Sequence, residues 1–543
     1  MIHANAIQQC VKRQGACINK IKGLSLVRGS TYAFLAGMLA VLGYAPFYAF
    51  PVPVLALAVL FAVVARQESM RAAGLVGFVF GMGTFGTGVS WVYVSLHEYG
   101  GLNTAAAVVI TTLFCAYLAL FIAFASVLGW LVRHRSQAVY FFVMPSIWVA
   151  SELLRGTLFT GFPWLAVGYS QVPDSPLVGF APIVGVYGLS AIVAASGSML
   201  AYAFLSPASA RARLSLLAIL CAIWGGGALL QLIAWTTPSG APIPVSLVQG
   251  NIAQDLKWQP EQLEYTLNAY RSLIEQSTGK LIVTPETALP LYADQIPAAY
   301  RQHLADFARR RQADIIVGVV ERTTGKTNGR YYNSAISTGV SAVQTYRKRH
   351  LVPFGEYIPA KPILGGLLKV LQIPFSDMSA GDPAPSVLSL AGEKVAINIC
   401  FEDVFGEELA SALPQSSLLV NMSNLAWFGD SLAIPQHLQI AQMRSLETGR
   451  YMLRATNTGA TAVIDERGRV VRQAPAHKAS IVNAMAHGRA GRTPFVRFGN
   501  TPAHLFAATG LLGALALVVV KWHHRIKRAV PRCTAARSSD PGS

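Results

Sequence analysis

The chain has 543 residues, 53% of them apolar and only 13% charged, and its 44 Lys and Arg outnumber 26 Asp and Glu to leave a net charge of +18. That length exceeds one ordinary soluble domain, and so low a charged fraction excludes a wholly soluble globular protein in favour of one embedded in a bilayer. The positive excess lies in short clusters between apolar runs, so it reads as a topology signal and gives no reason to expect a nucleic-acid partner.

In chain order, residues 1–30 form a basic tail, with Lys12, Arg13, Lys20, Lys22 and Arg28 and no acid. Spanning a bilayer takes about 20 apolar residues. Runs of that kind follow near 31–50, 51–66, 73–96, 104–132, 138–158, 177–205 and 213–236, with one more at 503–520. The expectation is a helical bundle of about seven spans over 31–236, an eighth span at 503–520 and a second basic tail at 521–543. The fifth run is the weakest, because Glu152, Arg155, Gly161 and Pro163 interrupt it. Arg66 with Arg71, Arg133 with Arg135 and Arg211 with Arg213 mark every second connection, whereas "YAPFYAFP" and "HEYGGLN" carry no Lys or Arg. Short basic loops stay in the cytoplasm, so both termini are expected inside and residues 237–502 outside. No cleavable signal peptide is expected, since the first apolar run starts after about 30 polar residues and further spans follow it.

Residues 237–502 have another texture. "PIPVSLVQG" (242–250), "KLIVTPE" (280–286), "ADIIVGVVE" (313–321), "YNSAIST" (332–338), "KVAINIC" (394–400), "SLLVNMSN" (417–424) and "YMLRATNTG" (451–459) read as strands. "PEQLEYTLNAYRSLIEQS" and "PAAYRQHLADFARRRQ" read as amphipathic helices between them. Alternating strands and helices imply an α/β layered domain with buried strands, and roughly 250 residues suffice for a full core.

Cys10, Cys17 and Cys533 fall in the tails, Cys115 and Cys221 in apolar runs, and Cys400 alone in this outer segment. A lone thiol facing an oxidising exterior is either an inert core residue or a nucleophile. Two other strand ends bear on that choice: "LIVTPETALP" delivers Glu286, and "YRKRHLVPFGEYIP" delivers Lys348 and then Glu356. Side chains at the carboxyl ends of α/β strands converge on pockets, and a carboxylate, an ammonium and a thiol together could perform acyl transfer. Taken singly, Glu286 could be a helix-start acid and Lys348 one member of a solvated basic run. Glu356 and Glu402 could orient Lys348 or the thiol, or simply pair with neighbouring arginines. Asn421 and Asn424 read as loop-holding residues. His437 reads as a structural helix residue, and no metal site is expected.

The order of Glu286 in "TPE", Lys348 in "YRKRHLVPFGE" and Cys400 in "CFE" resembles the Glu-Lys-Cys triad of the carbon–nitrogen hydrolase (nitrilase) superfamily. Together with "LVQGNIAQDLKW", "RGTLFTGFPWLAVGYSQ", "NMSNLAWFGDS" and the bundle, residues 30–520 resemble the bacterial apolipoprotein N-acyltransferases. Phe401 stands where Tyr is common in that family, so no hydroxyl-dependent role is assigned there. The resemblance implies a membrane bundle joined to an extracytoplasmic nitrilase-like αββα sandwich in the bacterial inner membrane. It also implies a phospholipid acyl donor, a diacylglyceryl apolipoprotein acceptor and no cofactor.

The expected chemistry is a two-step transfer through a Cys400 thioester, with Glu286 as general base and Lys348, with a backbone N–H near residue 401, holding the oxyanion. Trp258, Trp427 and Phe428 are expected in loops that bind substrate or lie at the membrane interface. A membrane-tethered nitrilase-type amidase would share the triad and admit water instead. A transporter ranks well below both, because the apolar runs hold few charged residues.

Overall fold

Strand alternation over residues 243–486 builds two facing six-stranded sheets. The computed structural model describes residues 25–516 apart from 134–142, 206–208, 324–328, 360–376, 385 and 414. Cys10, Cys17, Cys533, Arg135 and nearly all of both basic tails therefore lie outside the described residues.

The first sheet contains β1 (Ile243–Gln249), β2 (Leu281–Val283), β3 (Asp314–Arg322), β4 (Tyr331–Gly339) and β5 (Thr345–Arg347). The second contains β6 (Val387–Leu390), β7 (Glu393–Ile399), β8 (Leu418–Ser423), β9 (Tyr451–Thr456), β10 (Ala462–Ile464) and β11 (Val470–Gln473). A last strand, β12 (Ser480–Ala486), returns to pair antiparallel with β1. The orders are β12-β1-β2-β3-β4-β5 and β11-β10-β9-β8-β7-β6, with parallel pairing of β1-β2-β3 and of β7-β8-β9 at the two centres.

The period-2 pattern decides which face each side chain takes. Leu281, Val283, Ile316, Val395, Ile397, Ile399, Val420 and Leu453 fill the space between the sheets. Ile282, Ile315 and Val317 turn the other way, onto helices Leu263–Gln276 and Ala298–Arg310. Ala396, Leu419 and Met452 turn onto helix Ala433–Thr448. The result is the expected αββα sandwich, and all seven strand readings fall on strands.

The helical half is built from α1 (Leu26–Ala40), α2 (Pro51–Ala65), α3 (Met70–Gly88), α4 (Thr104–Val132), α5 (Met144–Arg155), α6 (Ala181–Leu205) and α7 (Ala210–Leu230). Small residues let these backbones touch, as bilayer packing requires: a Cβ on Gly37 of α1 would lie 2.1 Å from the Phe80 carbonyl oxygen of α3.

Among the described residues, four helical segments are long and apolar enough to cross a membrane: 26–43, 104–132, 176–203 and 210–230. The run read as one span near 73–96 is broken, since α3 and the segment 92–99 meet at 61°. Of the run near 138–158, residues 138–142 lie outside the described residues, and α5 is mostly buried, with its Glu152 and Arg155 serving the loop that follows. Arg155 donates to the Phe162 and Trp164 carbonyls at 2.5 and 2.6 Å, and Glu152 accepts from Trp148 and from the Val167 N–H. Segment 51–65 is a shorter apolar helix, and the described part of the run at 503–520 is apolar helix through residue 516.

One helix joins the halves. In Ala433–Thr448, labelled α8 hereafter, every residue except Pro435 is buried. Leu438 and Ala441 face the second sheet, while Ile440, Met443 and Leu446 join the core of the bundle. Its polar side chains take up the backbone and indole groups of the bundle's loops. The Gln436 amide oxygen accepts from Trp164 at 2.8 Å and Trp91 at 3.3 Å. Gln439 bonds the Ala45 N–H and the Val172 carbonyl. Glu447 accepts the Val186 N–H at 2.8 Å, just after Gly185 breaks α6 at φ +64°.

Candidate active site

Three strand ends supply the candidate residues. Glu286 follows β2 in the turn 284–287, Lys348 follows β5 directly, and Cys400 follows β7. The turn holding Glu286 packs so tightly on β3 that a Cβ at Gly318 would sit 2.1 Å from the Pro285 carbonyl oxygen. Lys348 extends the β4–β5 pairing by donating its own N–H to the Asn333 carbonyl at 2.8 Å.

Burial turns these residues into one charged cluster. Lys348 is 1% exposed and Glu286 7%. Glu286 Oε1 lies 3.5 Å from Lys348 Nζ and accepts from Asn333 Nδ2 at 2.7 Å, while Oε2 accepts the Asn424 N–H at 2.8 Å. Glu356 lies 2.9 Å from Lys348 Nζ and accepts from Asn333 Nδ2 and the Val352 N–H. Burial alone would depress the Lys348 ammonium; Glu356 and then Glu286 outweigh it and hold the group above its ordinary value. Lys348 is thus a fixed cation and not part of a solvated run.

Cys400 occupies a backbone conformation that L-residues avoid, with φ 55°. Such strain costs about 1–3 kcal/mol and persists only where the surroundings enforce it. Here Glu402 does so. Its carboxylate accepts the Ile399 N–H at 2.6 Å, the Arg349 N–H at 2.7 Å, the His350 N–H at 3.1 Å and the Tyr346 hydroxyl at 2.8 Å. Glu402 therefore fixes the backbones on both sides of the site and makes no direct bond to Lys348. Asn421 donates to the Cys400 carbonyl at 3.2 Å. Cys400 as a whole residue is half-buried, and its thiol lies among these charged groups. Burial and then Glu286 push it well above its ordinary value, with Lys348 opposing.

Behind the turn, Asp403 bonds Arg454 at 2.9 Å and His437 at 2.6 Å. His437 is the buried structural helix residue expected. Asn424 does more than hold a loop, because its backbone N–H reaches Glu286. Sequence reasoning missed Asn333, which bridges the two acids, and Lys257, which is 1% exposed beside Glu286. An amide side chain near the start of the buried strand "YNSAIST" was the available signal for Asn333.

Trp258 is half-buried on the turn that also carries Lys257. Trp427 and Phe428 pack on the bent segment of the bundle. Ser95 donates to the Trp427 carbonyl at 2.7 Å, the Tyr99 ring lies 5.8 Å from Trp427, and the Trp91 ring lies 4.7 Å from Phe428. Phe401 stacks on Phe162 of the α5–α6 connection at 6.1 Å.

A buried carboxylate, a paired ammonium and a strained thiol can perform covalent acyl chemistry. Residues 244–492 match the carbon-nitrogen hydrolase family. Residues 36–199 match the apolipoprotein N-acyltransferase N-terminal domain. The apolipoprotein N-acyltransferase of Nitrosomonas europaea is 52% identical over 89% of this chain and 96% of its own length. Those of Chromobacterium violaceum and Methylococcus capsulatus are 41% and 43% identical over 89% of this chain and 93% and 94% of theirs. Among solved structures, an amidase from Nesterenkonia is 17% identical with a TM-score of 0.35, covering 49% of this chain and 96% of that one. With both halves matched, and full-length relatives of this similarity, the chain belongs to the apolipoprotein N-acyltransferase family.

Proposed function

We propose that the protein transfers a fatty acyl chain from a phospholipid to the α-amino group of the N-terminal diacylglyceryl-cysteine of apolipoproteins, through a thioester on Cys400. The observation that carries the mechanism is the buried Glu286–Lys348–Glu356 cluster beside a thiol at φ 55°. The names of the relatives carry the substrate class.

Glu286 takes the Cys400 proton as the sulfur attacks the ester carbonyl. Negative charge developing on the carbonyl oxygen is met by Lys348 and a backbone N–H near Phe401. Collapse breaks the ester bond, and Glu286 returns its proton to the departing lysophospholipid oxygen. In the second half the acceptor amine attacks the thioester and gives its proton to Glu286. The amide forms, and the thiolate leaves and is reprotonated. Glu356 holds Lys348 in place, and Glu402 holds the turn.

The apolar helices make this a membrane protein, and the basic connections support about eight spans in the bacterial inner membrane. On that reading residues 237–502 are the catalytic domain on the periplasmic face, with both termini in the cytoplasm. Trp258, Trp427 and Phe428 sit in loops suited to that interface. A hydrolase reading shares the cluster and has less support, since the relatives that span both halves are named as acyltransferases.

The test is intact-mass measurement after incubation with phospholipid and no acceptor. A gain of one fatty-acyl group, removed by hydroxylamine and absent in Cys400→Ala, is expected. An adduct on Cys115 or Cys221, or turnover in Cys400→Ala, would sink the mechanism.

A further inference from the structure

Lys257 is a second buried lysine at the site, and nothing in the chemistry above uses it. Its side chain is 1% exposed. Nζ donates to the Thr287 hydroxyl at 2.8 Å and reaches the Glu286 carbonyl at 3.5 Å. Among the described residues no carboxylate lies within ion-pair distance of it, unlike Lys348. A buried ammonium with so few acceptors is costly, and such a cost is retained where the position serves another group.

The turn it grips is itself strained. Thr287 sits at φ 45°, and Gly318 presses on the other side of the same turn, where a Cβ would lie 2.8 Å from the Thr287 nitrogen. Lys257 belongs to the loop 252–258, tied down at three points. The Ile252 N–H and carbonyl are both bonded by the Asn457 side chain, Gln254 accepts from Asn424 Nδ2 at 2.7 Å, and Lys257 makes the bonds above. Asn424 is also the residue whose N–H holds Glu286 Oε2. One end of this loop thus bonds the carboxylate's partner and the other end bonds the carboxylate's own backbone.

We propose that Lys257 is a positioning residue for the general base, holding the 286–287 turn so that the Glu286 carboxylate stays aimed at Cys400. The inference rests on the reading of Glu286 as base. The charged group facing Lys257 is Glu286, from the β2 turn, and Lys348 meets Glu286 at Oε1. Burial lowers the Lys257 ammonium to about 8, against the opposing pull of Glu286. It is therefore charged at pH 7 and loses its proton as the pH rises through about 8, which weakens its hold on the Glu286 carbonyl.

The experiment measures the rate of thioester formation from phospholipid vesicles, without acceptor, between pH 6.5 and 9.5, alongside the pH dependence of Cys400 alkylation by iodoacetamide. Losing a charge-assisted bond predicts a fall of about 10–100-fold at pH 7 in Lys257→Met. The fall should shrink as pH rises past about 8, where the wild-type protein also loses the charge. Lys257→Arg, which keeps its charge, should hold its rate at high pH. Thr287→Val, which removes the hydroxyl acceptor, should slow acylation in the same sense if Lys257→Met fails to fold. Glu286→Gln separates the two ideas: an inactive Glu286→Gln beside a fully active Lys257→Met overturns the role of Lys257 alone. An active Glu286→Gln overturns the base assignment itself. A Lys257→Met protein slowed equally at every pH, with unchanged alkylation and a lowered melting temperature, would make Lys257 a filler of the fold and overturn the proposal.

Discussion

Charge at the site is set by individual neighbours, and each can be removed separately. Replacing Lys348 by Met keeps the length and deletes the cation, so acylation should fall by about 10²–10³, the loss expected for one oxyanion donor. Single-turnover mass measurement checks this, and a wild-type rate would reduce Lys348 to a structural residue. Glu286→Gln has two effects of opposite sense. On the proposed mechanism it removes the group that receives the proton, so the thioester should form far more slowly. It also removes one of the charges that raise the thiol, so Cys400 should react with iodoacetamide at lower pH than in the wild type. A pH profile of alkylation that stays in place would show that Glu286 does not act on the thiol. Phe401 needs no hydroxyl for its part, because its ring stacks on Phe162 of the membrane half.

Strands and turns carry those residues, and here the sequence was most and least legible. β2, β5 and β7 end where alternation meets Pro or polar punctuation, so Glu286, Lys348 and Cys400 could be placed at strand ends from local signals, with Glu356 in the turn beyond β5. Glu402 could be picked out beside Cys400, but its bonds to Ile399, Arg349 and His350 depend on tertiary pairing that no local pattern encodes. For the same reason α8 was not recognised as the joining element. No local pattern marks its Gln and Glu residues as buried, because the partners of Gln436, Gln439 and Glu447 come from segments more than 250 residues away. The broken span at 89–91 was missed because hydropathy is blind to a 61° bend.

At this scale Gly318→Ala should force the Glu286 turn off β3, costing about 1–3 kcal/mol by overpacking and slowing acylation. Gly225→Ala in α7, where an added Cβ meets nothing within 4 Å, should leave acylation unchanged. Thermal unfolding in detergent and thioester formation read the pair together.

Across the whole molecule, the buried contacts of α8 make the sandwich and the bundle depend on one another. Burial raises the Glu447 carboxyl to about 7, with Arg444 opposing. A raised folded-state value means that this contribution to stability is complete below about 4.5 and is lost as pH climbs through about 7. Glu447→Gln does not titrate, so its melting temperature should improve relative to wild type over that interval; a constant difference would mean that Glu447 does not ionise there. Orientation is tested separately. A membrane-impermeant thiol reagent on intact cells should leave Cys533 unlabelled and reach Cys400 at most, and labelling of Cys533 would reverse the topology. The α8 contacts also set a timetable for synthesis. Trp164 leaves the ribosome 272 residues ahead of Gln436. At about 5–20 residues per second, its indole waits roughly 15–50 s for its acceptor. Through that interval the connection between α5 and α6 has its bonds to Arg155 and Glu152 but lacks the Gln436 acceptor, so the bundle is a template awaiting the helix that completes it.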